Sequence, residues 1–444
     1  MENFFTKNKS IVTFLILEVV ALTAFNFGNV SHIFALAGGF LAILAAVFVY
    51  FSVEDKKSLL PVLIPVAILF IVSLMGSLNS FSKGFSKLSN LALALALPGF
   101  LFMGFALRKF NDVKPTIVLL VVGAALAAIT LFGLFSTLIE YGFFYRLIYK
   151  DTPNYYYNGI PYNVTKEMYW LNGFAFEEIY IEYGSLFAVL TAAFLPGLLF
   201  LSPKKERNEF IICASIGGVG LLTLLILPNF KAIILLAVVS LFAFVYRFLK
   251  NNKKVLKILG ICVVCGLGLA FLFFLVSMIN AAAGYKLPGF LDRVFVQNRF
   301  MTNVTPIYDA LFAKADGKLV NLFGLNTAYY SGDLAVWVES GYFEVELLKE
   351  VGLFGTLIFG AFLIVMGYFL VQYLKHSEDH DYIKSVFVVL ILAYFVYETF
   401  FNMITIAPHE NSYEAFLRTP TLFVVLFVLG YIFTVPSKKE VEHE

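Results

Sequence analysis

Two long stretches between apolar segments hold the residues whose side chains could take part in chemistry. The first, residues 140–184, is crowded with aromatic residues, among them Tyr155, Tyr156, Tyr157, Tyr162 and Trp170. Their rings form flat stacking surfaces for sugars, and the same amphipathic rings also settle at a membrane interface. The pattern therefore indicates a carbohydrate-contacting surface, an interfacial lid or re-entrant helix, or both together.

The second stretch, residues 281–350, is rich in cations, which are Lys286, Arg293, Arg299, Lys314, Lys318 and Lys349. Thr305 is a good helix N-cap, and Pro306 suits the first turn that follows it. Ile307, Ala310 and Leu311 then continue at helical spacing. The sequence predicts a folded, partly helical loop here, and not a linker.

Several classes of chemistry have no support in the sequence. The chain has no nucleotide-phosphate loop, no HExxH and no His or Cys cluster with zinc spacing, so neither a metal nor another cofactor is predicted. A net charge of +2 gives no reason to expect a nucleic acid partner.

The elements that must position these loops are apolar helices. The chain is 60% hydrophobic and only 14% charged, and its mean hydropathy is +0.85. That is too little polar surface for a soluble protein, and the lipid bilayer is the expected solvent. Runs of about twenty apolar residues cross the membrane's hydrocarbon, and about twelve such spans are predicted. They are Ile11–Phe27, His32–Phe51, Leu59–Leu78, Leu91–Leu107, Thr116–Ile139, Ser185–Leu201, Ile211–Leu227, Ala232–Leu249, Ile258–Ile279, Val351–Leu374, Val386–Ile404 and Leu417–Phe433.

The distribution of basic residues predicts the orientation. An even number of spans puts both termini on one side, and most of the 32 lysines and arginines fall on that side. Because cytoplasmic loops carry the excess of basic residues, both termini are predicted to be cytoplasmic, including a tail at 436–444. Residues 1–444 then form one membrane domain whose two long loops, 140–184 and 281–350, face outward. The larger loop lies between spans nine and ten.

Five short segments follow one another in a recognisable order. They are Arg299, the amphipathic stretch 305–313, Leu322-Phe323-Gly324-Leu325, Glu339-Ser340-Gly341-Tyr342-Phe343-Glu344 and Gly352-Leu353-Phe354-Gly355. In order and spacing, the region from Arg293 to Gly355 resembles the core of the O-antigen polymerase and O-antigen ligase superfamily (Wzy-type) of bacterial membrane glycosyltransferases. Pro228-Asn229-Phe230-Lys231 is a second, weaker match, at the start of the eighth span.

This resemblance implies an all-α polytopic fold, GT-C-like, with a large helical outer loop. It also implies a metal-independent glycosyltransferase of the bacterial cytoplasmic membrane. Such an enzyme transfers a glycan from undecaprenyl pyrophosphate to a hydroxyl of another lipid-linked repeat unit on the outer face. The product would be a surface polysaccharide of the capsule, exopolysaccharide or O-antigen type, and a chain-length regulator is a potential partner.

The resemblance also suggests roles for individual residues. The leaving pyrophosphate gains negative charge, which the cations Arg299, Arg293 and Lys231 would neutralise in place of a metal. A carboxylate with a raised pKa would accept the proton of the attacking hydroxyl, with Glu339 the first choice and Glu344 the second. Further candidates for substrate binding on the outer side are Tyr342, Arg418 and His409.

Other functions stay open at this stage. The ligase pattern has a His-Asn pair where Glu339 and Ser340 stand, and this difference favours a polymerase. A ligase acting on another acceptor is one alternative, and a peptidoglycan-type polymerase of the cell-elongation and division family is a second. Another is a flippase or transporter of lipid-linked oligosaccharides, although the internal repeats typical of transporters are not recognisable. The sequence does not identify the sugar or the linkage.

Overall fold

Helices dominate the computed structural model of this protein. It describes residues 32–53, 56–78, 85–110, 113–141, 154–157, 160–163, 183–226, 230–249, 322–323, 343–396 and 420–433, with a few single residues besides. Within these ranges the α-helices are α1 (His32–Ser52), α2 (Leu60–Leu78), α3 (Phe85–Lys109), α4 (Pro115–Tyr141), α5 (Tyr183–Ala192), α6 (Arg207–Ile226), α7 (Phe230–Leu249), α8 (Phe343–His376), α9 (Asp381–Val396) and α10 (Pro420–Ile432). The predicted helical class is confirmed for this part of the chain.

Three of the described helical segments are long and apolar enough to cross a membrane. They are Pro115–Phe135 in α4, Arg207–Ile226 in α6 and Val351–His376 in α8. Shorter apolar helical segments cover Leu36–Phe48, Leu60–Gly76, Leu186–Phe200 and Ile233–Phe248. Such segments are typical of an integral membrane protein. Only single residues of the predicted span Ile11–Phe27 are described, and the predicted span Ile258–Ile279 lies outside the described residues.

The helices pack as two groups. In the first group, α1, α2 and α10 pack on α3, and α8 packs on α2 and α10. The second group contains α4, α5, α6, α7 and α9. The groups meet where α9 packs on α10, with Phe387 edge-on to Tyr431 at 5.9 Å between ring centroids. Both rings are fully buried. This contact makes one continuous apolar core.

Two glycines bring α3 and α10 into backbone contact. A Cβ added at Gly104 would overlap the carbonyl oxygen of Phe427, and one at Gly430 would overlap the carbonyl oxygen of Leu101. Small residues at a crossing let helices approach until their backbones touch, which is a common way of packing helices in membranes. Helices α3 and α10 therefore pack closely at these two glycines.

The predicted sixth span, Ser185–Leu201, is not one helix. Helix α5 ends at Ala192, and a 3-10 helix follows at Leu195–Phe200. Pro196 lies at the start of that second piece. Proline has no N–H for the helical hydrogen bond and clashes with the preceding turn, which favours an end to the α-helix before it. Helices α2 and α3 nevertheless continue past Pro65 and Pro98.

A hydroxyl pair joins α4 to α5 inside the core. The Thr191 hydroxyl donates a hydrogen bond of 2.7 Å to the carbonyl of Phe187. Its oxygen lies 2.8 Å from the hydroxyl oxygen of Thr130. Since the single proton of Thr191 is already engaged, Thr130 must be the donor between them. Both buried hydroxyls are thereby satisfied.

A β-hairpin lies within the aromatic stretch 140–184. Strand β1 (Asn154–Tyr157) pairs antiparallel with β2 (Ile160–Asn163), and Tyr155 lies opposite Tyr162. The intervening sequence, Asn158-Gly159, is a dipeptide that two-residue hairpin connections favour. Local turn chemistry explains this short hairpin, which stands within an otherwise helical described part of the chain. The rest of the stretch 140–184, where an interfacial lid or re-entrant helix is predicted, lies mostly outside the described residues.

Several connections gather at one end of the bundle. Arg108 at the end of α3 contacts Asp379 between α8 and α9. The Tyr431 hydroxyl, at the end of α10, donates a hydrogen bond of 2.6 Å to the carbonyl of Val113. We call this the Arg108 end.

The 3-10 helix and the end of α7 reach the same end. A Cβ added at Gly197 would lie 3.5 Å from the carbonyl oxygen of Tyr382, in the first turn of α9. The rings of Phe200 and Tyr246 are 6.0 Å apart between centroids. The Arg108 end therefore gathers segments that the sequence analysis predicted to share one side of the membrane.

The opposite end is defined by the start of the apolar part of α8. Phe354 and Tyr373 lie on the same helix, and a helix of that length separates them by about 28 Å. A Cβ added at Gly355 would lie 3.3 Å from Met75, near the end of α2. We call this the Phe354 end.

Candidate functional site

Most of the predicted site residues lie outside the described part of the chain. These residues are Arg293, Arg299, Glu339, Tyr342, His409 and Arg418. The backbones of Lys231 and Glu344 are described, each at the second position of its helix, α7 and α8. Both helices end at the Arg108 end, so their first turns, which contain Lys231 and Glu344, lie at the Phe354 end. Two candidates from distant parts of the sequence thus share one end of the bundle.

The start of the apolar part of α8 is broken at Gly352. This residue has φ 68° and ψ −173° inside an otherwise helical segment. That combination belongs to a region of backbone space occupied essentially by glycine alone. Gly352 therefore lets the chain change direction between the polar first turns of α8 and its long apolar part.

The break leaves the N–H of Phe354 without its helical acceptor, and a carbonyl of the large loop accepts the hydrogen bond instead. In an unbroken α-helix the N–H of Phe354 would bond to the carbonyl four residues earlier. Here it donates a 3.0 Å hydrogen bond to the carbonyl of Leu322. The loop between predicted spans nine and ten is thereby attached to the Phe354 end of α8.

A ring contact strengthens this attachment. Phe323 stacks on Phe354 with 5.3 Å between centroids and 25° between ring planes. Offset stacking of this kind stabilises a contact by about 1 kcal/mol beyond the area it buries. Both rings stay partly open, with exposed fractions of 63% for Phe323 and 46% for Phe354. They form an apolar step beside the attachment point.

The second glycine and the following threonine complete the break. A Cβ added at Gly355 would overlap the side chain of Val351, which the change of direction brings close. The Thr356 hydroxyl donates a 2.8 Å hydrogen bond to the carbonyl of Gly352. The Gly-Leu-x-Gly step thus has a physical reason at each of its glycines.

Two of the sequence segments singled out above therefore meet in space. Leu322-Phe323 and Gly352 to Gly355 are about thirty positions apart, and a backbone hydrogen bond and a ring stack join them. The described residues of this junction provide attachment and no acid or base. Among all the described residues, no group of three or more His, Cys, Asp or Glu could hold a metal ion.

The Arg108 end holds a second polar cluster, which the sequence did not predict. Arg108 donates two hydrogen bonds to Asp379, of 2.9 Å to Oδ2 and 3.1 Å to Oδ1. The Tyr373 hydroxyl donates a third, of 2.7 Å, to Oδ2. The guanidinium also lies 4.9 Å from the ring centre of Tyr431. We call these four residues the inner clamp.

Electrostatics fit this arrangement. Burial by itself lowers the pKa of Arg108, but the hydrogen bonds and charge of Asp379 outweigh it and raise the pKa above its ordinary value. Arg108 therefore stays charged. The clamp ties α3, α8 and α10 to the connection before α9. An arginine at the end of an apolar run gave no signal of its partner, which lies 271 positions later.

Tyr382 is another group at this end whose pKa is raised. It is 4% exposed, and burial raises its pKa to about 12, with a further contribution from the carboxylate of Glu209. Its hydroxyl is neutral at physiological pH.

Comparison with known proteins identifies no relative: no family model, curated protein or solved structure matches the chain.

Proposed function

We propose that the protein is a membrane glycosyltransferase that polymerises undecaprenyl-pyrophosphate-linked oligosaccharide repeat units into a surface polysaccharide. In this proposal about twelve spans form a GT-C-like fold in a bacterial cytoplasmic membrane, with both termini cytoplasmic. The Phe354 end faces outward. The supporting observation is the attachment of Leu322-Phe323 to Phe354, since it joins two segments on which the family resemblance depends.

The attachment matters because of what it would position. The candidate cations and carboxylates lie in the chain before and after Leu322, and the end of that loop continues directly into α8. In the proposal, this attachment would hold the neighbouring part of the loop close to the Phe354 end. Fixed geometry between a donor and an acceptor is a large part of any enzymatic rate gain.

In the proposed reaction, a hydroxyl oxygen of the acceptor attacks the anomeric carbon of the donor sugar. The new glycosidic C–O bond forms as the bond between that carbon and the pyrophosphate oxygen breaks. The hydroxyl proton passes to Glu339 or Glu344, and undecaprenyl pyrophosphate leaves with the bonding electron pair. Arg299, Arg293 and Lys231 would stabilise the negative charge that develops on the leaving group.

Substrate contacts in this scheme come from the same side of the membrane. Tyr342, His409 and Arg418 would bind the sugars or the pyrophosphate of the two lipid-linked substrates. The aromatic stretch 140–184 would contribute stacking surfaces for the glycan. A chain-length regulator would be a separate partner protein.

The test uses purified protein with lipid-linked repeat units, and the readout is product length. The wild type should extend the chains, and Arg299→Ala should lower the rate at least a hundredfold, as loss of a charge-stabilising donor does in other enzymes. Lys318→Ala is a matched control, because it removes a cation from the same loop outside the candidate set.

Each outcome has a distinct meaning. If the wild type never extends the chains, polymerisation is the wrong function. Transfer to an unrelated acceptor would then indicate a ligase, and flipping without extension would indicate a transporter. If Arg299→Ala and Lys318→Ala extend chains equally well, the assignment of Arg299 is wrong.

A further inference from the structure

Four helices combine an exposed apolar stripe with one exposed cation at the Arg108 end. On α8 the stripe runs through Leu357, Ile364, Tyr368 and Val371, and Lys375 follows on the same face. Spacings of three, four and seven residues place these side chains on one side of a helix. The cation is therefore the polar end of an otherwise apolar face.

The other three helices repeat the arrangement. Lys114 precedes Ile117 and Val121 on α4, Arg207 precedes Ile211 on α6, and Arg247 follows Phe244 on α7. Each of these apolar residues is exposed, with fractions between 48% and 60%. We call Lys114, Arg207, Arg247 and Lys375 the cation set.

Most of the acidic residues described at the Arg108 end are less exposed than these cations. Asp379 is held by Arg108, and the carboxylate of Glu206 accepts a 2.9 Å hydrogen bond from the backbone N–H of Ser202. Glu209 and Asp381 are half-buried. Among the described residues of the Arg108 end, Glu378 is the one exposed acid. The surface offered to the surroundings is therefore strongly positive.

We propose that the cation set binds the phosphates of anionic phospholipids in the adjoining membrane leaflet. Long basic side chains at helix ends extend from the apolar face toward the polar headgroups. A layer of lipid headgroups offers a phosphate to each of the four cations, since each one lies at the Arg108 end beside exposed apolar residues of a separate helix. A protein partner would need the charges gathered on one patch, away from those stripes.

The cation set should raise the affinity of the protein for anionic lipid considerably. Each Lys or Arg near an anionic surface contributes enough attraction to change lipid affinity about fivefold. The effect should weaken with salt, because exposed charges are screened within about 10 Å at ordinary ionic strength. This proposal concerns the Arg108 end and does not depend on the reaction at the Phe354 end.

The test compares full-length protein in nanodiscs of phosphatidylglycerol and of phosphatidylcholine. The variant Lys114→Gln/Arg207→Gln/Arg247→Gln/Lys375→Gln removes the cation set. The variant Lys114→Arg/Arg207→Lys/Arg247→Lys/Lys375→Arg keeps every charge and controls for packing. The readouts are melting temperature and the number of phosphatidylglycerol molecules retained in native mass spectrometry.

The wild type and the charge-keeping variant should melt higher in phosphatidylglycerol and retain it, and the neutral variant should lose both effects. Equal retention by all three proteins would overturn the proposal. A wild type that shows no preference between the lipids would also overturn it, and would point to an acidic protein as the partner. If the neutral variant does not fold, salt titration of the wild type decides, since salt should abolish its preference.

Discussion

Arg108 and Asp379 face each other in a two-pronged ion pair, with the guanidinium on the last turn of α3 and the carboxylate between α8 and α9. Their side chains are 21% and 7% exposed, respectively. In so little water an unpaired charge is costly, so each residue requires the other. The Tyr373 hydroxyl also binds the carboxylate, which makes three donors to one acid.

Breaking this pair should destabilise the protein. Asp379→Asn leaves the Arg108 charge without its partner, and we expect a loss of about 3 kcal/mol in the free energy of unfolding. Denaturant unfolding in detergent micelles measures it. Lys109→Gln, on the exposed neighbour, is the control and should change little. Equal effects of the two variants would mean that the inner clamp contributes no stability.

The glycine contact between α3 and α10 should tolerate no side chain. Gly104→Ala and Gly430→Ala each push two backbones apart, with an expected cost of about 2 kcal/mol from overpacking. Gly218→Ala on α6 is the matched control, because its Cβ would meet nothing within 4 Å. Thermal melting of the three variants in one detergent compares them directly. A Gly104→Ala protein as stable as Gly218→Ala would contradict the contact.

Gly352 should resist every substitution for a different reason. Its φ of 68° with an extended ψ excludes residues that have a Cβ, so Gly352→Ala and Gly352→Asn should each cost about 2 kcal/mol. If the proposed function holds, both variants should also make shorter glycan chains, since the loop loses its attachment. Gly360→Ala, later on α8 and with open space around its Cβ, is the control. A stable, fully active Gly352→Asn would rule out the strained geometry.

Tyr382 should make the protein sensitive to alkali. Its pKa is about 12 in the fold, mainly because of burial, against an ordinary value of 10.0. The folded protein keeps this proton where the unfolded chain loses it, so stability should fall as the pH rises from about 10 to about 12. Tyr382→Phe should reduce that fall, and Tyr368→Phe, at a 58% exposed ring, should not. Melting temperature against pH measures the slopes, and identical slopes for both variants would be the contrary result.

Individual spans show which parts of the fold can be predicted from the sequence. The predicted His32–Phe51 and Leu59–Leu78 agree closely with α1 and α2, because apolar runs of this length form helices with little influence from elsewhere. The sixth span was predicted as one helix, but a break precedes Pro196, and a hydropathy pattern does not detect such a break. The tenth span, predicted from Val351, was extended back to Phe343, since the break at Gly352 still allows a helical turn before it.

By itself, the sequence determined the apolar helices, where most of them begin and end, and which connections carry the cations. These features follow from local composition and periodicity, which each segment contains within itself. Only the tertiary structure paired Arg108 with Asp379 and attached Leu322 to the N–H of Phe354. Such contacts depend on which helix ends meet, and on a donor that becomes free only when Gly352 breaks the helix. No single segment of the sequence holds that information.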